Sequence, residues 1–402
     1  MKKLTSSLLL LFPIFLIAGN FLINSFYILI SILSILNLNH NKDFFKSNIF
    51  YLLIFFLIYL SINLLFSINF TNSFPRVIKF FLIILFIKKI LNFNNREEFY
   101  FEKITKFWTI LFFIVTIDII FELIFGFNTL GFKSYLEGRV ASFFGNELVV
   151  GTFYHFFSLF VLSFFVKNNS SNFLMISLIL LIICISFMIG ERANFIRLFF
   201  SISIFTFFIL KINYVKKIII ICLTLLILGT TFYLNDSLKK RYYNQISVIY
   251  SVDGFKKFFK ESQYGAHQYT AYEIFKDNVF FGVGLKNFRE ESKKDIYENP
   301  EYKKTNERQA THPHQIHLEL LSEIGLIGYI LFLILISFSI IVSTKNYLIK
   351  RNPYQLSCVI YILSSLIPLI PSGSIFSTFY GGIFWFSFGL MISFNRNLKS
   401  KF

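Results

Sequence analysis

Residues Thr311–Gly328 read THPHQIHLELLSEIGLIG, a polar turn that leads directly into an apolar run. Three of the six histidines of the chain lie at its start: His312, His314 and His317. Pro313 suits the first turn of a helix, because the N–H that proline lacks would have no partner there. We therefore predict that a helix begins near Pro313 and that its first turn carries the histidines.

The second part of the stretch changes from polar to apolar. Glu319 and Glu323 are four residues apart, which places them on one face of a helix. The residues that follow, 326–341, are nearly all apolar. Such a run is suited to the hydrocarbon core of a bilayer. The histidines are therefore predicted to lie at the membrane surface, at the mouth of a helix bundle.

The composition of the whole chain is that of a membrane protein. Hydrophobic residues make up 55% of the sequence, and 58 residues are phenylalanine. A soluble domain could not bury this much apolar surface, and in lipid such a chain must be helical. The net charge of +17 does not indicate nucleic acid, because cytoplasmic loops of membrane proteins collect Lys and Arg. The three cysteines lie in apolar runs and imply no disulfide framework.

We predict an all-α, polytopic protein with about twelve transmembrane helices, each long enough to cross ~30 Å of hydrocarbon. The predicted span cores are residues 4–18, 21–36, 48–66, 75–91, 104–125, 147–166, 173–189, 194–210, 216–233, 315–342, 355–370 and 375–394. No small-residue cleavage site follows residues 4–18, so we interpret them as a span rather than a removed signal peptide. Residues 1–402 are predicted to form a single integral membrane domain.

The distribution of basic residues predicts the orientation. Connections on one side of the predicted spans are rich in Lys and Arg, including Lys88, Lys89 and Lys345, whereas the other side has few. The basic side is normally cytoplasmic. Both termini are therefore predicted inside, and the long segment 234–313 outside, as a large loop of short helices inserted between two spans.

Two motifs carry a resemblance to a known family. His314-Gln315, with Leu318 and then E-x-G-x-x-G at residues 323–328, resembles the motif of the O-antigen ligase and polymerase superfamily. The segment Gly282–Phe288, GVGLKNF, resembles the G-x-G-x-x-x-F that precedes this histidine in the family. The resemblance implies a fold similar to that of GT-C membrane glycosyltransferases, with the large loop facing the periplasm.

Two further segments resemble the family and carry arginines. Arg139 lies in GRVASFFGN, residues 138–146, just before a predicted span, and Arg192 lies in the tight turn Gly190–Ala193. Glu191 stands where the family has a small residue, and could pair with Arg192. The resemblance implies that both arginines bind a diphosphate, whose oxygens match the guanidinium fork. The alternative is that they extend to lipid phosphates, as basic residues near span ends do.

The family also has an arginine in the large loop before G-x-G. The corresponding neighbourhood here, residues 264–269, contains His267 and no arginine. His267 is expected to replace it in binding the substrate. Arg241, Arg289 or Arg308 could instead fold into this place.

The resemblance makes His314 the catalytic candidate. At a helix N-terminus the macrodipole disfavours a charged imidazole, and a neutral imidazole can accept a proton from a sugar hydroxyl. His312, His317, Gln315 and Glu323 are expected to bind or position the substrate. A histidine at this place could also be only an interfacial cap. The histidines could bind a metal, but no known ligand set such as H-E-x-x-H is present, and we predict none.

These features together predict a metal-independent membrane glycosyltransferase that needs no cofactor. The resemblance implies an O-antigen ligase that transfers a glycan from a polyprenyl-diphosphate carrier to lipid A core or another acceptor, in the bacterial inner (plasma) membrane. A polymerase that joins repeat units is the alternative within the superfamily. A transporter is the alternative outside it, with Asp118 and Glu122 as candidate groups within the membrane.

Overall fold

The computed structural model describes residues 2–37, 44–94, 98–209, 213–234 and 253–395, together with 236, 239 and 243. Arg241 and most of residues 235–252 lie outside this part. Where the chain is described it is helical and contains no β-strand, which agrees with the predicted all-α class. The first nine α-helices are α1 Lys2–Ala18, α2 Asn20–Ile35, α3 Asn48–Asn63, α4 Phe70–Asn94, α5 Glu98–Phe125, α6 Val150–Lys167, α7 Asn172–Met188, α8 Arg192–Ile209 and α9 Tyr214–Leu234.

Short helices dominate the segment between α9 and the next long helix. They are α10 Gly254–Glu261, α11 Gln263–Asp277 and α12 Phe288–Glu291, with short 3-10 turns between α12 and Ile316. Three helices then complete the described chain: α13 Ile316–Lys350, α14 Pro353–Ser365 and α15 Phe379–Ser393.

Five segments of the described chain are long and apolar enough to cross a membrane. They are Asn48–Phe66, Phe101–Phe125, Val150–Lys167, Arg192–Ile209 and Ile316–Lys350. Four shorter helices are also apolar, at Lys3–Ala18, Asn20–Ile35, Asn172–Met188 and Phe379–Ser393. These helices support the predicted membrane class, whereas the total of about twelve spans stays a prediction.

The chain divides into two compact units. The first comprises Met1–Phe26, Arg96–Gln245 and Tyr347–Ser365. At its centre lies α6, which is apolar on every side and buried from Val150 to Ser163, as expected for a helix surrounded by others. Helices α5, α7, α8 and α14 pack around α6. On α5, the Trp108 ring packs edge-on against Phe157 of α6, with ring centroids 5.5 Å apart.

The second unit comprises Tyr27–Asn95, Ile246–Asn346 and Leu366–Phe402. Its most extensive helix pair is α4 with α15. The Trp385 ring packs edge-on against Phe80 at 5.2 Å, and its indole N–H donates to the carbonyl of Ile375. The pair of α4 and α15 thus packs through large aromatic side chains.

Helix α13 is interrupted at Gly325, whose backbone adopts φ 64° and ψ −176°. Such a φ is accessible to glycine without steric cost. The chain around Gly282 supplies hydrogen-bond partners to backbone groups near the break. The N–H of Gly284 donates to the carbonyl of Glu323 at 2.8 Å. Across the break, the N–H of Leu326 donates to the carbonyl of Val279 at 2.7 Å. The two glycine-containing motifs are therefore docked backbone to backbone.

Candidate functional site

Three histidines form a cluster in the second unit. The ring of His314 lies 4.1 Å from that of His312 and 5.3 Å from that of His267, measured between centroids. His267 comes from α11, and the other two come from the turn before α13. Tyr264 packs edge-on against His314 at 5.4 Å. The packing of α11 thus brings the histidine predicted to replace the loop arginine beside the predicted catalytic one.

The prediction that a helix begins near Pro313 is wrong by three residues, because α13 begins at Ile316. His314 has a left-handed backbone with φ 54°, which an α-helix cannot contain. Its carbonyl accepts a hydrogen bond from the N–H of Ser372 at 2.8 Å. Gln315 caps the helix, since its Oε1 accepts from the N–H of Leu318 at 2.7 Å. His314 is therefore held in a turn fixed at both ends.

The three clustered histidines are neutral near pH 7. Burial is the main cause that lowers the pKa of His314 to about 4, and the electrostatic effects of His267 and Lys286 act in the same direction. Burial lowers the pKa of His312 well below its usual value and also lowers that of His267. The neutral imidazole predicted from the helix macrodipole thus has burial as its main cause. A neutral ring can accept a proton, as a general base must.

His317 is placed differently from the other histidines of the turn. Its Nε2 donates to the carbonyl of Leu366 at 2.8 Å, and its Nδ1 accepts from the hydroxyl of Tyr329 at 3.0 Å. Both ring nitrogens are thus occupied. His317 thus holds α13 against the segment that follows α14, and its contacts are structural.

Lys286, in the G-x-G segment, is a residue that the sequence analysis missed. Its Nζ donates to Oγ of Ser374 at 2.7 Å and lies 3.5 Å from Oε1 of Glu319. Its backbone N–H donates to Oε2 of Glu323 at 2.8 Å. The charges of Lys286 act on both His312 and His314. Lys286 therefore links the two carboxylates predicted on one helix face to the histidine cluster.

Further cations belong to the same neighbourhood. Arg76 of α4 interacts electrostatically with Arg289, Glu319 and Glu323. Lys79, one turn after Arg76, donates from Nζ to the carbonyl of Ser377 at 2.9 Å. Its electrostatic neighbours are Arg76 and Lys286. The second unit therefore gathers two arginines and two lysines around the carboxylates of α13.

Several buried polar atoms of this neighbourhood have no hydrogen-bond partner among the residues that the structure describes. They are Nε of Arg76 and Arg289, Nδ1 of His267, Nε2 of His312, both carboxylate oxygens of Glu319, Oε1 of Glu323 and Oγ of Ser372. A buried polar atom without a partner costs about 1–3 kcal/mol, so few are retained in folded proteins. Their concentration around one histidine cluster is typical of a site that binds a polar ligand.

The two described loop arginines that are alternatives to His267, Arg308 and Arg289, make different contacts. Arg308 is buried and donates to the carbonyl of Thr305 and to Asp295, both at 3.3 Å, so it holds the loop together. Arg289 follows the G-x-G segment directly and is an electrostatic neighbour of Arg76. Of these two arginines, Arg289 is the one near the histidine site.

The first unit contains the other predicted arginines. Arg139 donates to the carbonyl of Leu148 at 2.8 Å and pairs with Oε1 of Glu191 at 3.1 Å. Gly190 permits this approach, because a Cβ there would lie 2.0 Å from the carbonyl oxygen of Gly138. The two arginine-bearing segments that resemble the family therefore pack together. Glu191, expected to pair with Arg192, has Arg139 as a partner.

Asp118 and Glu122 anchor the segment that carries Arg139. Asp118 accepts from the hydroxyl of Ser142 at 2.6 Å and from the N–H of Thr129 at 2.9 Å. Glu122 accepts from the N–H of Ser142 at 2.6 Å. These contacts support the segment of Arg139, so the transporter alternative gains no support from the two acids. A cavity of about 310 Å³ beside them is lined by Lys133, Glu137 and Arg139, among others.

Within the described ranges, no group of three His, Cys, Asp or Glu side chains is placed to hold a metal ion. The cations of the histidine site are instead Arg and Lys side chains. Their chemistry suits an anionic ligand such as a diphosphate, which arginine binds through two parallel hydrogen bonds.

Comparison with known proteins agrees with the sequence motifs. The sequence model of the family described as O-Antigen ligase matches residues 156–333, which include Arg192, His267, Lys286 and His314. No curated protein matches the chain. The match and the apolar helices together indicate a multi-pass membrane protein with a ligase- or polymerase-type function in glycosyl transfer. Residues 156–333 thus match the sequence model of the O-antigen ligase family, and this match confirms the resemblance that the motifs predicted.

Proposed function

We propose that this protein is a metal-independent membrane glycosyltransferase of the ligase type. The donor is a glycan linked to a polyprenyl diphosphate, and the acceptor is a sugar hydroxyl of lipid A core or of another surface glycan. The observation that carries the proposal is the charge of the histidine site in the second unit. The family match supports the reaction class.

The charges of the site favour an anionic ligand. Its formal charges come from four cations and two carboxylates: Arg76, Lys79, Lys286, Arg289, Glu319 and Glu323. The cations of the site thus outnumber its carboxylates. Buried charges in proteins are normally paired, because an unpaired one is costly. A diphosphate with an ester bond at each end carries two negative charges and fits this surplus.

The neutral histidine cluster supports a base close to this charge. In the proposed step, the acceptor oxygen bonds to the anomeric carbon as its O–H bond breaks, and the proton passes to the ring of His314. The bond from the anomeric carbon to the phosphate oxygen breaks, and its electrons leave with the diphosphate. Arg76 and Arg289 stabilise this leaving group electrostatically, a role that a metal has in many other enzymes.

The roles of the other predicted residues follow from their contacts. His312 and His267 flank the ring of His314 and are proposed to orient the acceptor hydroxyl. Gln315 and Glu323 act by holding the turn and the G-x-G segment in place. His317 is proposed to act in the same structural way. Arg192 and Arg139 stay proposed diphosphate ligands.

Transfer by the purified protein tests the proposal. The full-length protein is placed in liposomes with a lipid-diphosphate glycan and an acceptor glycolipid, and product is followed by mass spectrometry. We expect transfer without added metal and strongly reduced transfer with His314→Ala. Transfer that requires a metal, or that persists in full with His314→Ala, would contradict the proposal.

The polymerase alternative is separated from the ligase by the product that a gene deletion leaves in cells. Loss of a ligase leaves polymer on the carrier lipid, whereas loss of a polymerase leaves single repeats on the acceptor. We expect the first pattern. Single repeats on the acceptor would assign the same site to the polymerase reaction.

A further inference from the structure

The backbone at Lys286 is strained and firmly held. Its φ of 62° lies in the left-handed region, which residues other than glycine rarely adopt. The carboxylate of Glu323 fixes this conformation by accepting the Lys286 N–H. Strained backbone persists where the surroundings determine it, and it is frequent at functional sites. The conformation sends the lysine side chain towards Ser374 and Glu319.

The contact between Lys286 and Glu319 is an ion pair without a hydrogen bond. Nζ and Oε1 are 3.5 Å apart, whereas charge-assisted N–H···O bonds are about 2.7–2.9 Å long. Both oxygens of Glu319 lack a hydrogen-bond partner although the side chain is only 1% exposed. The shorter contact of Nζ is the one with Ser374. Glu319 thus supplies charge to Lys286 but does not occupy its donors fully.

The surroundings make Lys286 attractive to an anion. Lys79 lies in its electrostatic neighbourhood and repels its charge. Two titratable rings on which Lys286 acts electrostatically, His312 and His314, are neutral near pH 7 because burial lowers the pKa of each. A phosphate oxygen would offer Nζ the short, charge-assisted bond that Glu319 does not make.

We propose that Lys286 binds the diphosphate of the glycan donor. In the absence of this ligand Glu319 is the counter-ion of Lys286, and the diphosphate displaces Glu319 when it binds. This inference rests on the proposed function and adds a residue to it. Ser374 holds Nζ in place during the exchange. Lys286 then faces the phosphate oxygens beside the histidines, where negative charge develops as the leaving group departs.

The opposing reading is that Lys286 and Glu319 form a purely structural pair. Removal of either partner would then damage the site in the same way, because each leaves an uncompensated buried charge. The exchange predicts opposite effects. Removal of the lysine weakens diphosphate binding, whereas neutralisation of Glu319 strengthens it, since the diphosphate no longer competes with a carboxylate.

The experiment titrates a polyprenyl diphosphate without sugar into the purified full-length protein in detergent, by isothermal calorimetry. We expect Lys286→Met to raise Kd roughly 10-fold or more, as loss of a charge pair in a buried site does. Glu319→Gln should lower Kd, and Lys286→Arg, which keeps the charge, should lie close to wild type. Lys293→Met is the matched control, because Lys293 lies in the same loop with its side chain 54% exposed. Thermal unfolding of each variant reports its folding.

The outcomes separate this inference from the function that it extends. Unchanged binding in Lys286→Met, or weaker binding in Glu319→Gln, would overturn the exchange and leave a structural ion pair. If Lys286→Met fails to fold, the change in Kd caused by Glu319→Gln, with Lys286→Arg as reference, still distinguishes the two interpretations. A lower Kd supports the exchange, and a higher Kd supports the structural ion pair. A wild-type protein that does not bind the polyprenyl diphosphate would instead contradict the proposed function.

Discussion

Gly282 and Gly325 meet so closely that a Cβ atom on Gly282 would lie 2.6 Å from the backbone nitrogen of Gly325. A Cβ on Gly325 would in turn lie 2.3 Å from the carbonyl oxygen of Phe280. Both glycines also have positive φ, 66° and 64°. The glycines of two motifs that are distant in sequence are thus required by a single contact.

Alanine at either glycine should therefore destabilise the protein. The left-handed backbone alone costs a non-glycine residue about 1–2 kcal/mol, and the backbone overlap adds to it. We expect Gly325→Ala to lower the midpoint of thermal unfolding in detergent and to reduce transfer. Gly229→Ala in α9 is the control, because nothing lies within 4 Å of the added Cβ. Equal stability of the Gly325 and Gly229 variants would contradict the tight contact.

The second prediction separates two histidines that lie three residues apart. His314→Ala should reduce transfer ~10²–10⁴-fold, the usual cost of losing a general base. Donor binding should stay largely intact, because the arginines and Lys286 are the proposed ligands of the diphosphate. His317→Ala should lower stability more than the rate in folded protein, since it removes contacts with Leu366 and Tyr329. Transfer by purified variants in lipid, with and without chelator, measures both. Full activity of His314→Ala, or loss with chelator and rescue by zinc, would contradict the assignment.

The third prediction concerns pH. In an unfolded chain histidine has a pKa near 6.5, whereas burial lowers that of His314 to about 4. Between these values the unfolded state binds a proton that the folded state does not. The contribution of His314 to stability should thus be constant above pH 6.5 and fall as the pH drops towards 4. The groups that face His314 are His267, Tyr264, His312 and Lys286.

Thermal unfolding at several pH values measures this effect. His314→Asn should lose less stability between pH 6.5 and 4.5 than wild type, because one group that titrates in the unfolded state is removed. The remaining slope belongs to His312 and His267, whose pKa values burial also lowers. An identical slope in wild type and His314→Asn would show that His314 is not buried in neutral form.

The fourth prediction concerns Arg192 and Arg139. Arg192→Lys keeps the positive charge but loses the planar fork, so we expect impaired transfer even though the charge is unchanged. Arg139→Lys should also be impaired, because Glu191 and the Leu148 carbonyl hold the guanidinium in place. Arg351→Lys, at an exposed position, is the control. Transfer at the wild-type rate by Arg192→Ala would show that no diphosphate is bound there.

The fifth prediction is topological. Residues 234–313 should face the outside and both termini the cytoplasm, because basic residues divide in this way. In a protein whose native cysteines are replaced by serine, Lys303→Cys should react with an impermeant thiol reagent on spheroplasts, and Ser400→Cys should not. The Lys303 side chain is 70% exposed, so a lack of reaction there reports its side of the membrane. Labelling of Ser400→Cys alone would invert the orientation.

Local patterns sufficed to predict the helical class, because apolar runs are visible in short stretches of sequence. The motif also identifies His314 as a candidate, and its catalytic role stays a prediction. The apolar runs predict helices directly, and His314 stands in a motif. Lys286 could not be found in this way, since Ser374 and Glu319 are distant from it along the chain. His317 looks equivalent to His314 in sequence. Only its contacts with Leu366 and Tyr329, which come from folding, distinguish the two.

The break at Gly325 also bears on the depth at which the site can lie in a bilayer. Helix α13 has 35 residues, and at about 1.5 Å per residue an unbroken helix of this length would measure roughly 52 Å, far more than the ~30 Å of hydrocarbon. The part after Gly325 alone, at roughly 37 Å, is sufficient to cross it. The turns that carry Glu319 and Glu323 are thus surplus to the crossing. They can lie at the level of the lipid headgroups, which is the depth at which a polyprenyl carrier presents its diphosphate.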